Sequence, residues 1–375
     1  MIEGTLGSRV GNPIHKTANG AEPRNSRVGR WRLRSAFQLA ALLLLAAALS
    51  ACGGQSAPTL QEGKVNAVAT FYTLYDFASR IGGDKANVIN LVPAGVDSHD
   101  WAPKSRDLQF MSKAQLFIYN GAGFEGWVSD FAASLRGEGP LMIEASAGIE
   151  LLRGSGHDHA DESAGSNGKS GGHAQNDARA QSNGHDHDGE HDGHQHIHSY
   201  DKEIDPHVWV SPKSALKMAE NIKNGFIQAD PANRTVYEAN YEKLRQELAA
   251  LDAKFRESIA KAPKKEIVVS HNAFGYLARD YGLTQMPIMG LSPDAEPTAQ
   301  DLKRISDFIK EHGVKYILFE ELVSGRVAKM LANDLGIETL VLNPLEGLTE
   351  KQAKAGENYV TMMESNLQNL LKALQ

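Results

Sequence analysis

From Val65 to the C-terminus, short β-rich runs alternate with stretches in which apolar residues recur every three or four positions. That alternation predicts parallel α/β layers, in which each strand leads into a helix. In the first half, strands are expected at 65–69, 88–92, 116–119 and 141–143, with helices near 74–81, 104–113 and 126–135. The second half repeats the logic with strands at 267–270, 285–288, 316–319 and 339–342 and helices at 274–280, 299–311 and 326–335. Two similar lobes follow, one over residues 64–229 and one over 264–375.

The segment that joins them, 230–263, has the strongest helical pattern of the chain. Tyr237, Tyr241, Leu244, Leu248, Leu251, Phe255 and Ile259 recur at spacings of three and four, behind Asp230 as N-cap and Pro231 in the first turn. No Pro or Gly interrupts the pattern before Pro263. One continuous helix of about 30 residues and about 45 Å is therefore expected, in preference to two helices with a bend. A different stretch breaks the α/β rhythm. Residues 154–199 are Gly, Ser, Asn, Asp and His with almost no apolar side chain, so they bury too little surface to offset their ordering entropy. They are expected to form a disordered insertion in the first lobe.

Composition narrows the function classes. The 375 residues are 41% hydrophobic, enough for a core in each lobe, and the net charge of −7 comes without a basic stripe, which sets nucleic acid aside as a partner. The single cysteine excludes a disulfide framework and a Cys-rich zinc module. That residue, Cys52, closes a leader of signal-peptide form over residues 1–52. Arg27, Arg30, Arg32 and Arg34 precede the apolar run 37–49, followed by Ser50, Ala51, Cys52 and Gly53. The apolar run is shorter than the roughly 20 residues that a membrane span needs. Leu49-Ser50-Ala51-Cys52 resembles the lipobox of bacterial lipoproteins, which implies acylation of Cys52 and a hold on the lipid bilayer. Residues 53–63 then read as a polar tether.

The candidate chemistry lies in histidine. Nine of the fourteen fall in the insertion: His157, His159, His173, His185, His187, His191, His194, His196 and His198. Imidazoles among aspartates and glutamates suit Zn²⁺ above other divalent ions, so all of these but His173 are expected to be accessory metal ligands, with a solvated linker as the bland alternative. His15 belongs to the leader, and His312 is expected in solvent on a polar helix face. His99, His207 and His271 remain. His99 stands on a loop at a strand's carboxyl end, His207 follows the insertion and precedes a helix, and His271 ends the first strand of the second lobe. Open α/β sheets bind ligands at such strand ends, where imidazoles from both lobes can converge.

The motifs Ser98-His99-Asp100-Trp101-Ala102-Pro103, Asp205-Pro206-His207-Val208-Trp209 and Ser270-His271-Asn272-Ala273-Phe274-Gly275-Tyr276 resemble those of the cluster A-I solute-binding proteins of ABC importers, receptors for zinc and manganese. The resemblance runs from about Val65 to Gln375, with the His-rich insertion where zinc-type members carry theirs. It implies two pseudo-symmetric lobes with mostly parallel sheets, a rigid linking helix, and a metal held between the lobes by residues matching His99, His207 and His271. Glu346, in Leu342-Asn343-Pro344-Leu345-Glu346-Gly347-Leu348, matches the fourth ligand of zinc-type members, and Glu320 and Glu321 compete with it. Trp101 and Trp209 are expected to pack around the site. Three imidazoles and one carboxylate favour Zn²⁺ over the more oxygen-loving Mn²⁺. The implied protein is a monomeric, non-enzymatic lipoprotein outside the cell membrane that delivers Zn²⁺ to an importer permease. Its alternatives are a manganese receptor, a surface adhesin of the kind known among anchored relatives, and a zinc hydrolase.

Overall fold

The computed structural model describes residues 59–153, 204–293 and 296–375. Cys52 with the rest of the leader, His15, and the insertion's His157, His159, His173, His185, His187, His191, His194, His196 and His198 lie outside the described residues.

The first lobe runs β1 (Val65–Ala69), α1 (Tyr72–Gly82), β2 (Ala86–Asn90), α2 (Ser105–Met111), β3 (Leu116–Tyr119), α3 (Val128–Ser134) and β4 (Leu141–Glu144). Two helices follow, α4 (Pro212–Ala229) and α5 (Arg234–Lys261). The second lobe runs β5 (Glu266–Val269), α6 (Gly275–Tyr281), β6 (Thr284–Pro287), α7 (Ala299–His312), β7 (Tyr316–Phe319), α8 (Arg326–Leu335) and β8 (Glu338–Val341), closed by α9 (Glu350–Ala355) and α10 (Tyr359–Ala373). All pairings within the sheets are parallel, and the strand orders β2-β1-β3-β4 and β6-β5-β7-β8 are the same in both lobes. That shared order is the internal pseudo-symmetry. In each lobe it puts a switch point at the carboxyl ends of the two central strands.

The two-residue alternation along each central strand divides the core. Ala67 and Ala69 of β1, Leu116 and Ile118 of β3, and Ile267 and Val269 of β5 face one apolar cluster that passes through both lobes. Val68 and Phe117 face a separate layer with Met111 and Phe131, and Val268 and Ile317 face another with Ile305, Ile309 and Leu331. The shared cluster contains Tyr237, Leu244, Leu248, Leu251, Phe255 and Ile259 of α5, each at most 3% exposed. Burying a side chain of that size contributes about 1.5–3 kcal/mol, so the helix is a spine common to both halves.

Helix α5 has 28 residues, about 42 Å at 1.5 Å each, and it ends where Ala262 turns extended before Pro263. Its start differs from expectation. Pro231–Asn233 form a 3₁₀ turn and the α-helix begins at Arg234. Asp230 is occupied otherwise, with Oδ2 accepting from Asn233 Nδ2 at 2.7 Å and from the Tyr237 hydroxyl at 2.8 Å. β2 also begins earlier than its apolar pattern indicates, because Ala86–Asn90 pair with Val65–Ala69 and Val92 lies outside the strand. Residues 59–63, read as the end of the tether, are tied to the sheet, since Gln61 N donates to Asn66 Oδ1 at 2.7 Å. His312 is half-buried over Phe308, ring centroids 4.3 Å apart, not free in solvent. The chain enters the insertion at Arg153 and returns at Ile204, which meet in an antiparallel bridge.

Candidate metal centre

Each candidate ligand comes from a chain segment that leaves regular structure at the inter-lobe crevice. His207 follows Asp205-Pro206 and precedes the short 3₁₀ turn Val208–Val210. Asp205 Oδ1 accepts from both His207 N at 3.0 Å and His207 Nδ1 at 2.8 Å, so one carboxylate sets backbone and ring together. His271 lies two residues beyond β5 and donates through Nδ1 to Glu320 Oε1 at 2.5 Å, while the Ser270 hydroxyl donates to the same oxygen. Both rings are fully buried. His99 sits on the long loop after β2, 14% exposed, with its backbone N–H on Asp97 Oδ1 at 2.9 Å.

Glu346 is delivered by the loop after β8. Asn366 of α10 clamps that loop by accepting from Asn343 N at 2.9 Å and donating to Asn343 O at 2.7 Å. The next turn holds buried Leu345 at φ 60, a left-handed conformation that costs a branched residue roughly 1–2 kcal/mol. Two bonds hold it there: Leu345 N to Asn343 Oδ1 at 2.7 Å, and the Thr73 hydroxyl to Leu345 O at 2.7 Å from the other lobe.

These segments bring one ligand atom each from His99, His207, His271 and Glu346 to within 4.8 Å of one another. Glu346 Oε1 lies 3.3, 3.5 and 3.8 Å from Nε2 of His99, His207 and His271, and the Nε2 atoms of His99 and His207 are 3.4 Å apart. A tetrahedral zinc with arms of 2.0–2.1 Å has edges of about 3.3–3.4 Å, so the spacing fits that ion. His271 Nε2 and Glu346 Oε1 are buried without a hydrogen-bond partner and face one another at 3.8 Å, so both are free to meet an ion between them.

Electrostatics agree. Burial opposes charge on His99, yet the adjacent Glu346 carboxylate overrides it and raises the imidazole to about 9. Burial likewise opposes charge on Glu346, and the three imidazoles, His99 foremost, bring its carboxyl down to about 2. His271 is also raised, against its burial, by Glu320. A metal held here would compete with protons for the same imidazoles.

Of the competing carboxylates, Glu320 is turned to the far nitrogen of His271 and Glu321 accepts from Gln352, so neither joins the cluster. Trp209 is fully buried against Phe71, Phe124 and His207, and Trp101 packs edge-on to Trp127 near His99. Sequence reasoning quoted Asp205 and Ser98 within their motifs without giving them a role, and it passed over Phe124. Asp205 had a local signal, an acid two residues before a histidine, whereas the Glu320 contact spans 49 positions and had none.

The family profile described as zinc-uptake complex component A, periplasmic (ZnuA), matches residues 67–373. The chain belongs to this family. The high-affinity zinc uptake system protein ZnuA of Bacillus subtilis is 38% identical over 338 residues, covering 90% of this chain and 96% of that protein. The zinc-binding protein AdcA of Streptococcus pyogenes is 38% identical over 316 residues, 84% of this chain. The chain spans only 57% of that relative's length. Among solved structures, the Zn(II)-bound ZnuA-like domain of Streptococcus pneumoniae AdcA aligns with a TM-score of 0.65 at 34% identity, covering 83% of this chain and 99% of that one.

Proposed function

We propose that this family member is an extracytoplasmic receptor that captures Zn²⁺ between its lobes and passes it to the membrane permease of an ABC importer. The observation that carries the reading is the tetrahedral spacing of His99, His207, His271 and Glu346 around two orphaned buried atoms. A nitrogen-rich set of four favours Zn²⁺ over Mn²⁺ as cargo. It also leaves no open coordination position for a hydrolytic water, which argues for binding over catalysis. Acylation of Cys52 would hold the receptor at the outer face of the membrane, and the His-rich insertion would gather metal as an accessory.

Cross-lobe bonds favour a small motion on binding. The Trp209 indole donates to Pro344 O at 2.6 Å, the Tyr359 hydroxyl to Trp209 O at 2.7 Å, and the Tyr276 hydroxyl to Asp205 O at 2.7 Å. A stiff spine stitched in this way permits slight rocking, so release would need the permease to distort the site.

The test is chelator-competition calorimetry with metal analysis on the full chain, a His207→Ala variant and a deletion of 154–199. One tight zinc is expected per chain, kept by the deletion and lost in His207→Ala. Tight zinc that survives His207→Ala, or hydrolase turnover by the loaded protein, would overturn the proposal.

A further inference from the structure

We propose that Ser98 sets the metal preference of the site by dictating how Glu346 binds. The inference rests on reading His99, His207, His271 and Glu346 as one metal centre. The two oxygens of Glu346 have unlike surroundings. Oε1 faces the three Nε2 atoms at 3.3 to 3.8 Å and accepts no hydrogen bond. Oε2 accepts from the Ser98 hydroxyl at 3.0 Å. This bond crosses the crevice, from the loop after β2 in the first lobe to the loop after β8 in the second.

Ser98 is itself held for the task. On one side Asp97 Oδ1 takes the His99 N–H at 2.9 Å. Gly95 N donates to Leu348 O at 2.8 Å, fastening the Ser98 loop to the loop that carries Glu346. The buried Leu345 beside Glu346 is pinned in its left-handed conformation, so the carboxylate arrives at a fixed height. The carboxylate can still rotate about its own terminal bond, and the Ser98 hydroxyl opposes that rotation.

A carboxylate binds a metal through one oxygen or through both. With Oε2 engaged by Ser98, Glu346 offers Oε1 alone, and the set closes at three nitrogens and one oxygen, which suits tetrahedral Zn²⁺. Released, the carboxylate turns Oε2 inward and adds an oxygen to the coordination sphere. Higher coordination with more oxygen is the direction that favours Mn²⁺. Ser98 is thus a positioning residue for selectivity: it acts through Glu346 and touches no metal.

The test uses the full chain and its Ser98→Ala and Ser98→Thr variants, each loaded with one equivalent of zinc. X-ray absorption at the zinc edge reads the coordination shell, and competition titration reads the ratio of zinc to manganese affinity. Ser98 borders a cavity of about 150 Å³, so the threonine methyl has room. The expected result is three nitrogens and one oxygen in the parent and in Ser98→Thr. In Ser98→Ala an added oxygen ligand is expected, and the zinc-to-manganese ratio should fall about tenfold, the scale of one hydrogen bond to a charged group. Ser98→Ala with the parent's shell and ratio would overturn the inference. So would an equal loss for both metals with the shell unchanged, since Ser98 would then only brace the lobes. A His271→Ala variant separates the two levels: if it leaves the parent's zinc spectrum intact, the underlying metal-centre reading fails, whatever Ser98→Ala does.

Discussion

His207 and His271 each give their second ring nitrogen to a buried carboxylate, Asp205 and Glu320, whereas among the described residues no carboxylate is bonded to Nδ1 of His99. The first two rings are fully buried, one from each lobe, with a carboxylate two residues away behind His207 and one 49 positions away behind His271; the third is 14% exposed on an irregular loop. The difference separates two ways of presenting a ligand. A carboxylate behind an imidazole fixes its tautomer and orientation and makes it a better donor. His99 has instead an ion pair in front, with Glu346, which holds the ring in place; as a ligand in the proposed centre it would have to yield its proton. In the proposed centre the rigid pair would supply the geometry and the third imidazole would complete it.

The comparison breaks most directly on ligand removal. His207→Ala or His271→Ala should weaken zinc binding well over 100-fold, beyond the range that outer partners command, and His99→Ala by clearly less. Chelator competition ranks the three, and equal losses would erase the distinction. Next come the carboxylates. Glu320→Gln and Asp205→Asn should each lower zinc affinity about 10–100-fold, with the fold intact by circular dichroism.

A smaller effect sharpens the role of His99. Its raised pKa of about 9 leaves it protonated in the metal-free protein at neutral pH, so zinc must expel that proton. Affinity should therefore rise by at least about tenfold per pH unit as pH climbs toward 9 and flatten above it, because a protonated imidazole cannot ligate. Glu346, brought down to about 2, stays charged throughout this range. The slope should be shallower in His99→Ala when binding is measured from pH 6 to 9. The smallest effect is expected of Asp97→Asn, about threefold in zinc affinity, because Asp97 holds the backbone of the His99 loop through one bond and acts on the ring only through its charge, behind Glu346 in strength.

The strands β1, β3 and β7 and the helix α8 start and stop where their apolar patterns do, because strands and amphipathic helices carry their burial in local periodicity. The spine helix was legible for the same reason, and the boundary missed was its start, where Asp230 serves Asn233 and Tyr237 through side-chain bonds that no spacing rule contains. His99, His207 and His271 stood out because each lies in a motif at the end of a predicted element. Glu346 was favoured over Glu320 and Glu321 through the family resemblance and not through local pattern, since all three are acids in the segments that follow a strand.

What the sequence by itself determined is therefore the periodic part of this protein, two βαβ-patterned halves and a long helix, together with a short roll of metal-binding side chains. The resemblance pointed to Glu346, but tertiary structure decided that it faces the imidazoles while Glu320 stands behind His271. It also decided that a serine of one lobe holds the free oxygen of a glutamate in the other. Those outcomes depend on residues brought together across 49, 108 and 248 positions, and a contact of that kind is fixed by how the lobes pack on their common spine, which no local pattern encodes.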